Sequence, residues 1–247
     1  MSAKHEFAFY CDIPLRNSGS AVTITDQVLI NRIANIVRLK TGQECIIFNA
    51  SAHAQCVIVD VQKKSIKLEV VTLVSNTILK PTIEVILPLL KREDFESSLY
   101  AMVELGATKI QLVHTEKSQR AWGGTKDMDR AHRIMVAAAE QSKNFTLPEL
   151  CAPLSLASVL DAHKKTHISK MFFDPLGNPV LDVIQTVKAQ KSTEVVLLVG
   201  PEGDLTEQEK SALKDQEFIF CALTPTVLRA VQAVQLGLGI FRSIFRN

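Results

Sequence analysis

The run Glu194-Val195-Val196-Leu197-Leu198-Val199-Gly200-Pro201-Glu202-Gly203-Asp204-Leu205-Thr206-Glu207-Gln208-Glu209 constrains the fold more than any other stretch of this chain. Val195 to Val199 is short, apolar and β-branched, the composition of a strand buried on both faces. Gly200, Pro201 and Gly203 end it abruptly. Thr206 followed by Glu209 has the spacing of a capping box, so a helix opens there. A strand covered on both faces calls for helices above and below a parallel sheet. A glycine turn behind such a strand lets a ligand approach the backbone closely. The same turn reads equally well as an ordinary strand-to-helix loop.

The pattern repeats through residues 82–247. Strands are predicted near Ile83–Pro88, Lys109–His114, Lys170–Asp174, Glu194–Val199 and Glu217–Leu223. Helices are predicted near Glu93–Leu105, Lys126–Lys143, Leu156–Lys164, Val180–Ala189, Thr206–Asp215 and Val227–Phe245. This alternation implies an α/β domain with a mainly parallel sheet. Residues 1–74 differ. Phe7–Ile13, Glu44–Asn49, Ala54–Val61 and Ser65–Leu73 read as strands, with one helix near Asp26–Leu39. Short strands with Gly and Asn turns suggest a small β-barrel. Residues 75–81, ending in Lys80-Pro81, read as a linker.

At 247 residues and 47% hydrophobic, the chain can bury a sizeable core in one large or two small domains. Its net charge of +2 does not by itself announce nucleic acid. Residues 1–74 carry a net +2, and Lys109 to Lys143 a net +3. A local basic surface attracts phosphates while the whole stays near neutral, although a solvated charged face has the same composition. The cysteines Cys11, Cys45, Cys56, Cys151 and Cys221 are scattered and lack a Cys-x-x-Cys pair. They fit reduced thiols in a cytosol. The histidines His5, His53, His114, His132, His163 and His167 lack metal-ligand spacing, so no metal is expected. No apolar run approaches the roughly 18 residues of a membrane helix, and the start lacks a signal-peptide core. The expectation is a cytoplasmic protein without membrane contact. Gly237-Leu238-Gly239 sits inside a predicted helix and is expected to serve close packing, not a dinucleotide loop.

A second motif follows the first: Phe218-Ile219-Phe220-Cys221-Ala222-Leu223-Thr224-Pro225-Thr226-Val227-Leu228-Arg229, then an almost wholly apolar segment to Phe245. The pair Gly-Pro-Glu-Gly and Leu-x-Pro-x-Val-Leu-Arg resembles the carboxyl-terminal knot of the SPOUT methyltransferases. It is most similar to the RsmE family, which methylates N3 of one uridine in 16S ribosomal RNA. Asn31 to Ser51, Glu104-Leu105-Gly106-Ala107, Thr115-Glu116-Lys117-Ser118, Glu140-Gln141-Ser142 and Leu147-Pro148-Glu149 resemble further family stretches in the right order. The resemblance spans nearly the whole chain.

The resemblance implies a trefoil-knot domain over 82–247 and a PUA-like RNA-binding β-barrel over 1–74. Plain topological rules would have excluded a knot. It implies S-adenosyl-L-methionine as methyl donor, held by three loops. Phe173 belongs to the first. Leu198, Val199, Gly200, Pro201, Glu202 and Gly203 form the second. Leu223, Thr224, Val227 and Leu228 belong to the third. Leu198, Leu223 and Leu228 would supply apolar walls, or be plain core. Arg229 and Glu202 are the catalytic candidates. Arg229 would stabilise charge on the uracil oxygens; Glu202 would orient the donor or a basic side chain, or cap the following helix. RNA contacts are expected from Arg32, Arg38 and Lys40 around one helix, and from Lys126, Arg130 and Arg133 on one face of another. The expected partners are 16S rRNA in the small ribosomal subunit and a second copy of the chain, packed through the apolar segment 227–245.

The chain also departs from the family. Ala230-Val231-Gln232 stands where Thr-Glu-Thr is usual. Thr224 and Thr226 replace Gly and Arg, Ala101 replaces a lysine, Lys117 and Asn144 replace arginines, and Asp204 replaces a glycine. These changes leave an alternative: a non-catalytic or weakly active RNA-binding relative.

Overall fold

A computed structural model describes residues 6–118, 120–164, 168–189 and 192–245. His5 and His167 lie outside them. Contacts divide the chain into two compact units. The first comprises residues up to Thr77 together with Ala139–Leu147; the second comprises Ile78–Ala138 and the chain from Pro148. The division after Thr77 falls inside the expected linker, but the return of 139–147 to the first unit is invisible in the sequence.

The first unit contains β1 (Ala8–Tyr10), β2 (Ala21–Ile24), α1 (Gln27–Asn31), β3 (Glu44–Phe48), β4 (Ala52–Gln62) and β5 (Ser65–Ser75). They form one sheet in the order β1-β3-β4-β5-β2. β1 runs parallel to β3, and the other pairs are antiparallel. β2 was not foreseen: with only Val22 and Ile24 turned inward, it is too short to show a period. The single helix expected over Asp26–Leu39 is also revised. Asp26 caps α1 by accepting from the Leu29 N–H at 2.7 Å. The coil then widens to a π-helix over Arg32–Ile36, and Arg38 leaves it with φ +62°. Ile24, Ile33, Ile47, Ile58 and Leu68 are fully buried at the centre of this unit.

Residues 139–147 are fastened to the unit by specific contacts. The Glu140 carboxylate accepts from the Tyr10 N–H at 2.9 Å and pairs with both terminal nitrogens of Arg32. The Phe145 ring lies 4.4 Å from that of His53 and 4.9 Å from that of Phe48. Asn76 Nδ2 donates to the Phe145 carbonyl at 3.0 Å.

The second unit alternates as expected. It contains β6 (Thr82–Pro88), α2 (Arg92–Glu104), β7 (Lys109–His114), α3 (Thr125–Ser142) as far as Ala138, β8 (Glu149–Ser155), α4 (Leu156–Ala162), β9 (Ser169–Pro179), α5 (Val180–Ala189), β10 (Glu194–Val199), α6 (Glu207–Asp215), β11 (Ile219–Ala222) and α7 (Ala230–Ile244). The strands form one parallel sheet in the order β11-β9-β10-β6-β7-β8. β8 went unpredicted because Pro153 interrupts it, which an edge strand tolerates. In β10 the two-sided burial is explicit. Val195, Leu197 and Val199 enter one apolar cluster, Val196 and Leu198 the other.

β9 runs past its expected end. After Phe172 it loses register with β11 and regains it where Asn178 pairs with Cys221. A Cβ on Gly177 would fall on the backbone of Phe220 and Cys221, so only glycine fits that crossing. α7 is less uniformly apolar in place than its sequence suggests. It buries Val231, Val234, Leu238 and Phe241 and exposes Gln232, Gln235 and Ser243. Gly237 does serve close packing; Gly239 has nothing within 4 Å of where a Cβ would stand. Arg242 anchors the far end of α7 on the carbonyls of Pro81 and Gly106. Burial pushes its guanidinium down to about 10. Among the described residues, no helix is long and apolar enough to cross a membrane.

Candidate functional site

The loops that follow β6 and β10 and the middle of β9 meet the start of α7 around a cavity of about 620 Å³. That volume lies inside the range of about 300–1,000 Å³ usual for small-molecule sites. In a parallel sheet, ligands bind outside the carboxyl ends of the strands. Phe173 ends the first part of β9, and Val199 ends β10. Gly200, Pro201, Glu202 and Asp204 form the turn, and Val227 to Ala230 lead into α7. Lys91 and Asp94 complete the wall. A second, much smaller cavity shares Phe173 and Leu228 and adds Leu223 and Thr224.

The site residues expected from the sequence divide accordingly. Phe173, Val199, Gly200, Pro201, Glu202, Val227 and Leu228 line the larger cavity; Leu223 and Thr224 line the smaller. Leu198 and Gly203 line neither. Alternation along β10 turns Leu198 into the opposite core with Phe172 and Leu205. A Cβ on Gly203 would meet Lys117 instead, whose Nζ donates to the Gly203 carbonyl at 2.9 Å. Lys117, where the family resemblance has arginine, thus braces the glycine turn from outside.

The turn's geometry follows from its residues. Asp204 has φ +59°, a region that aspartate tolerates better than most side chains. Its Oδ1 accepts from the Leu205 N–H at 2.7 Å. A Cβ on Gly200 would stand 3.3 Å from the same Oδ1, so this glycine answers to Asp204 and not directly to the cavity. Thr206 and Glu209 complete the capping box that opens α6.

The two catalytic candidates differ in their surroundings. Arg229 is the N-cap of α7, is exposed and borders the larger cavity. Its guanidinium has no ion pair or hydrogen bond among the described residues. The Glu202 carboxylate is engaged: Oε1 accepts from the Lys91 N–H at 3.0 Å. It places an anion at the start of α2, which has no side-chain cap of its own. Of the alternatives for Glu202, capping the following helix falls to Thr206 instead, while Glu202 meets the start of α2. Of the altered stretch, Ala230 borders the cavity while Val231 is turned into the protein and Gln232 is exposed. The Cys221 thiol, in β11 nearby, is pushed up to about 12 by burial and stays neutral.

The basic candidates are not equivalent either. Arg32 is committed to Glu140. Arg130 is committed to Glu96 through Nε at 2.5 Å and Nη2 at 2.8 Å. Arg133 donates through Nε to the Asp129 carbonyl at 3.3 Å. Arg38, Lys40 and Lys126 are exposed and have no ion pair among the described residues. Sequence reasoning missed Lys91, Asp94, Asp174 and Asp204. Lys91 and Asp94 were within reach, since they follow a predicted parallel strand at its carboxyl end.

These features make an α/β domain with a parallel sheet and a ligand-sized cavity beside a proline-glycine turn, with an exposed arginine at its rim. The profile of the RNA methyltransferase domain matches residues 79–242, and the chain belongs to that family. Ribosomal RNA small subunit methyltransferase E from Mycobacterium bovis is 25% identical over 235 residues, covering 94% of this chain and 89% of that protein. The protein of the same name from Synechocystis sp. is 30% identical over 182 residues, covering 73% of this chain and 58% of the relative. Among solved structures, Ribosomal RNA small subunit methyltransferase E from Neisseria gonorrhoeae, bound to S-adenosyl methionine, superposes with a TM-score of 0.84. It is 22% identical, and the match covers 98% of each chain.

Proposed function

We propose that the chain methylates N3 of a uridine in 16S ribosomal RNA of the small subunit, with S-adenosyl-L-methionine as donor. The observation that supports this most is the unpaired Arg229 at the rim of a cavity floored by Gly200-Pro201-Glu202. The donor supplies a methyl group on a sulfonium when bound. The chain must do the rest. Phe173 and Leu228 present apolar surface to the adenosine, while the backbone of Val199 to Pro201 offers carbonyls and N–H groups for its polar edge. Loss of the N3 proton to solvent would leave an anion shared between N3 and the uracil oxygens, discharged when N3 takes the methyl carbon and the donor sulfur keeps the C–S bond pair as a neutral thioether. Arg229 is positioned to stabilise that anion. Glu202 sets the start of α2, which presents Lys91 and Asp94 to the same cavity.

The strand order, with β9 between β10 and β11, supports a trefoil knot in the second unit, as does the tight crossing at Gly177. We read the first unit as a PUA-like RNA-binding barrel in which exposed Arg38 and Lys40 contact phosphate, and Lys126 and Arg133 of the second unit as further phosphate contacts. A homodimer fits the exposed Leu176 (94%) and Val227 (81%) near the cavity. Cytoplasmic location follows from the substrate. The alternative, an RNA-binding relative with little activity, draws on Val231, which puts a buried apolar group where a carboxylate is usual.

Titration with S-adenosylmethionine followed by tritium transfer to unmodified small ribosomal subunits tests the reading. Saturable donor binding with label at one uridine is expected. Tight RNA binding without transfer would overturn it in favour of the alternative. Sedimentation at micromolar concentration reads out the dimer.

A further inference from the structure

We propose that Lys210 is a positioning residue for the donor cavity, tying together the two loops that form its walls. This inference rests on the donor-binding reading above. Lys210 lies on α6 and touches neither cavity, yet its ammonium bridges two residues that do. Nζ stands 2.8 Å from Asp174 Oδ2, at the end of the first part of β9, and 2.7 Å from Asp204 Oδ2, in the glycine turn. Asp174 borders the smaller cavity and Asp204 the larger.

The bridge has the features of an ordered contact. The side chain of Lys210 is 14% exposed and that of Asp174 only 5%. Such a pair is costly to leave half-made, because a lone buried carboxylate keeps its desolvation penalty. The second oxygen of Asp174 is also used: Oδ1 accepts from the Leu176 N–H at 2.8 Å, which folds the loop back on itself. Asp204 Oδ1 takes the Leu205 N–H in the same way. Each aspartate therefore shapes its own loop with one oxygen and meets Lys210 with the other. Burial opposes ionisation of both partners of the buried pair. Even so, Lys210 and the Leu176 N–H hold Asp174 below the usual carboxylate range, and the two aspartates hold Lys210 above the usual lysine range. Lys210 and Asp174 are both charged at neutral pH.

The consequence is geometric. Phe173 precedes Asp174, and Gly200 to Glu202 precede Asp204. Without a cation between them, two carboxylates would repel each other and the loops would part. The cavity walls would separate although no lining residue had changed.

The test is Lys210→Met, which keeps most of the stem's volume, set beside Lys210→Arg. S-adenosylhomocysteine affinity is measured by calorimetry, and KM and kcat by tritium transfer. For Lys210→Met we expect donor Kd and KM to rise by about tenfold or more, the worth of one charge-assisted contact. kcat at saturating donor and KM for the ribosomal subunit should stay close to the parent's. Lys210→Arg should recover most of the donor affinity. A fall in kcat with unchanged donor KM would show a merely structural role and overturn the proposal. So would parent-like donor affinity in Lys210→Met. A parent protein that binds no donor at all would sink the donor-binding reading itself, and this proposal with it. The two failures are thus separable.

Discussion

The ring of Phe173 occupies the space that a β-carbon on Gly237 would need, so a wall of the larger cavity and the middle of α7 are packed ring against backbone. The same ring borders both cavities. A glycine inside a helix costs about 1 kcal/mol relative to alanine, and here that cost accompanies a wall of the site.

Gly237→Ala should therefore separate stability from binding. The helix gains about 1 kcal/mol of propensity but loses about 1–3 kcal/mol to overpacking as Phe173 is displaced. The melting temperature should fall by a few degrees at most, while S-adenosylhomocysteine affinity falls about tenfold or more. Gly239→Ala, which meets nothing within 4 Å, should stabilise and leave binding intact. Equal donor affinity in both variants would show that Phe173 is not a wall of the site.

Arg229 and Glu202 should respond differently to substitution. Arg229→Ala removes the unpaired guanidinium at the cavity rim. It should lower kcat by about 10²–10³, as loss of a transition-state donor does, with a smaller change in donor affinity. Glu202→Gln keeps an acceptor for the Lys91 N–H but removes its charge, and should cost only about 0.3–1 kcal/mol of stability. Steady-state kinetics with both variants decides the roles. A loss in Glu202→Gln as large as in Arg229→Ala would make Glu202 catalytic.

A pH dependence follows from Glu84 of β6. It stands 3.2 Å from His163 Nε2 and 3.2 Å from Lys109 Nζ. Burial opposes its charge, but His163 and Lys109 together hold it below its ordinary 4.5. The bond to Glu84, against burial, holds His163 above its ordinary 6.5. The depressed carboxylate contributes stability above about 4.5 and loses it as pH falls through its folded value. The raised imidazole contributes fully below about 6.5 and loses its share as pH rises through its folded value. Urea midpoints should thus be highest between about pH 4.5 and about pH 6.5 as far as this pair is concerned. His163→Gln should flatten the decline on the alkaline side. An unchanged decline would assign it to other groups.

The basic residues separate by their partners. Arg38→Ala, Lys40→Ala and Lys126→Ala should each weaken RNA binding and reduce the salt slope by roughly one unit, with unchanged melting. Arg32→Ala should behave otherwise. It leaves Glu140, whose side chain is 9% exposed, without its cation, so it should cost stability first. Affinity measured over a range of salt concentrations, alongside thermal melts, checks both. Identical slopes in all variants would remove these residues from the RNA surface.

Removing residues 1–74 is a harsher test of RNA binding than the sequence suggested. His53 and Phe48 pack against Phe145, and Glu140 takes the Tyr10 N–H, so the truncation strips the partners of residues 139–147. The shortened chain should melt at lower temperature than the parent even where donor binding survives. Equal melting temperatures would show that 139–147 do not depend on the first unit.

The parts of this protein that depend on neighbours in sequence were legible before any coordinates. The buried run Val195–Val199, the capping box at Thr206 and Glu209 and the strand–helix alternation all rest on local periodicity and capping. The run and the capping box stand where they were expected, and the alternation does too apart from the unpredicted β8. The Gly200-Pro201-Glu202 turn and Arg229 were singled out by their motif, and they line the same cavity. What the tertiary structure alone decided is which side chains meet across long stretches of chain. Leu198 and Val199 are neighbours with the same chemistry, yet the pleat sends Leu198 into one apolar cluster and Val199 into the other, where it also borders the cavity. Arg32 and Arg130 look as available as Lys126, until Glu140 and Glu96 are folded against them. Lys210 has no motif at all, and its role exists only because the ends of β9 and β10 bring Asp174 and Asp204 to opposite sides of one ammonium. Periodicity is a property of a few consecutive residues, whereas ion pairing and cavity lining are set by distances that the whole fold must close.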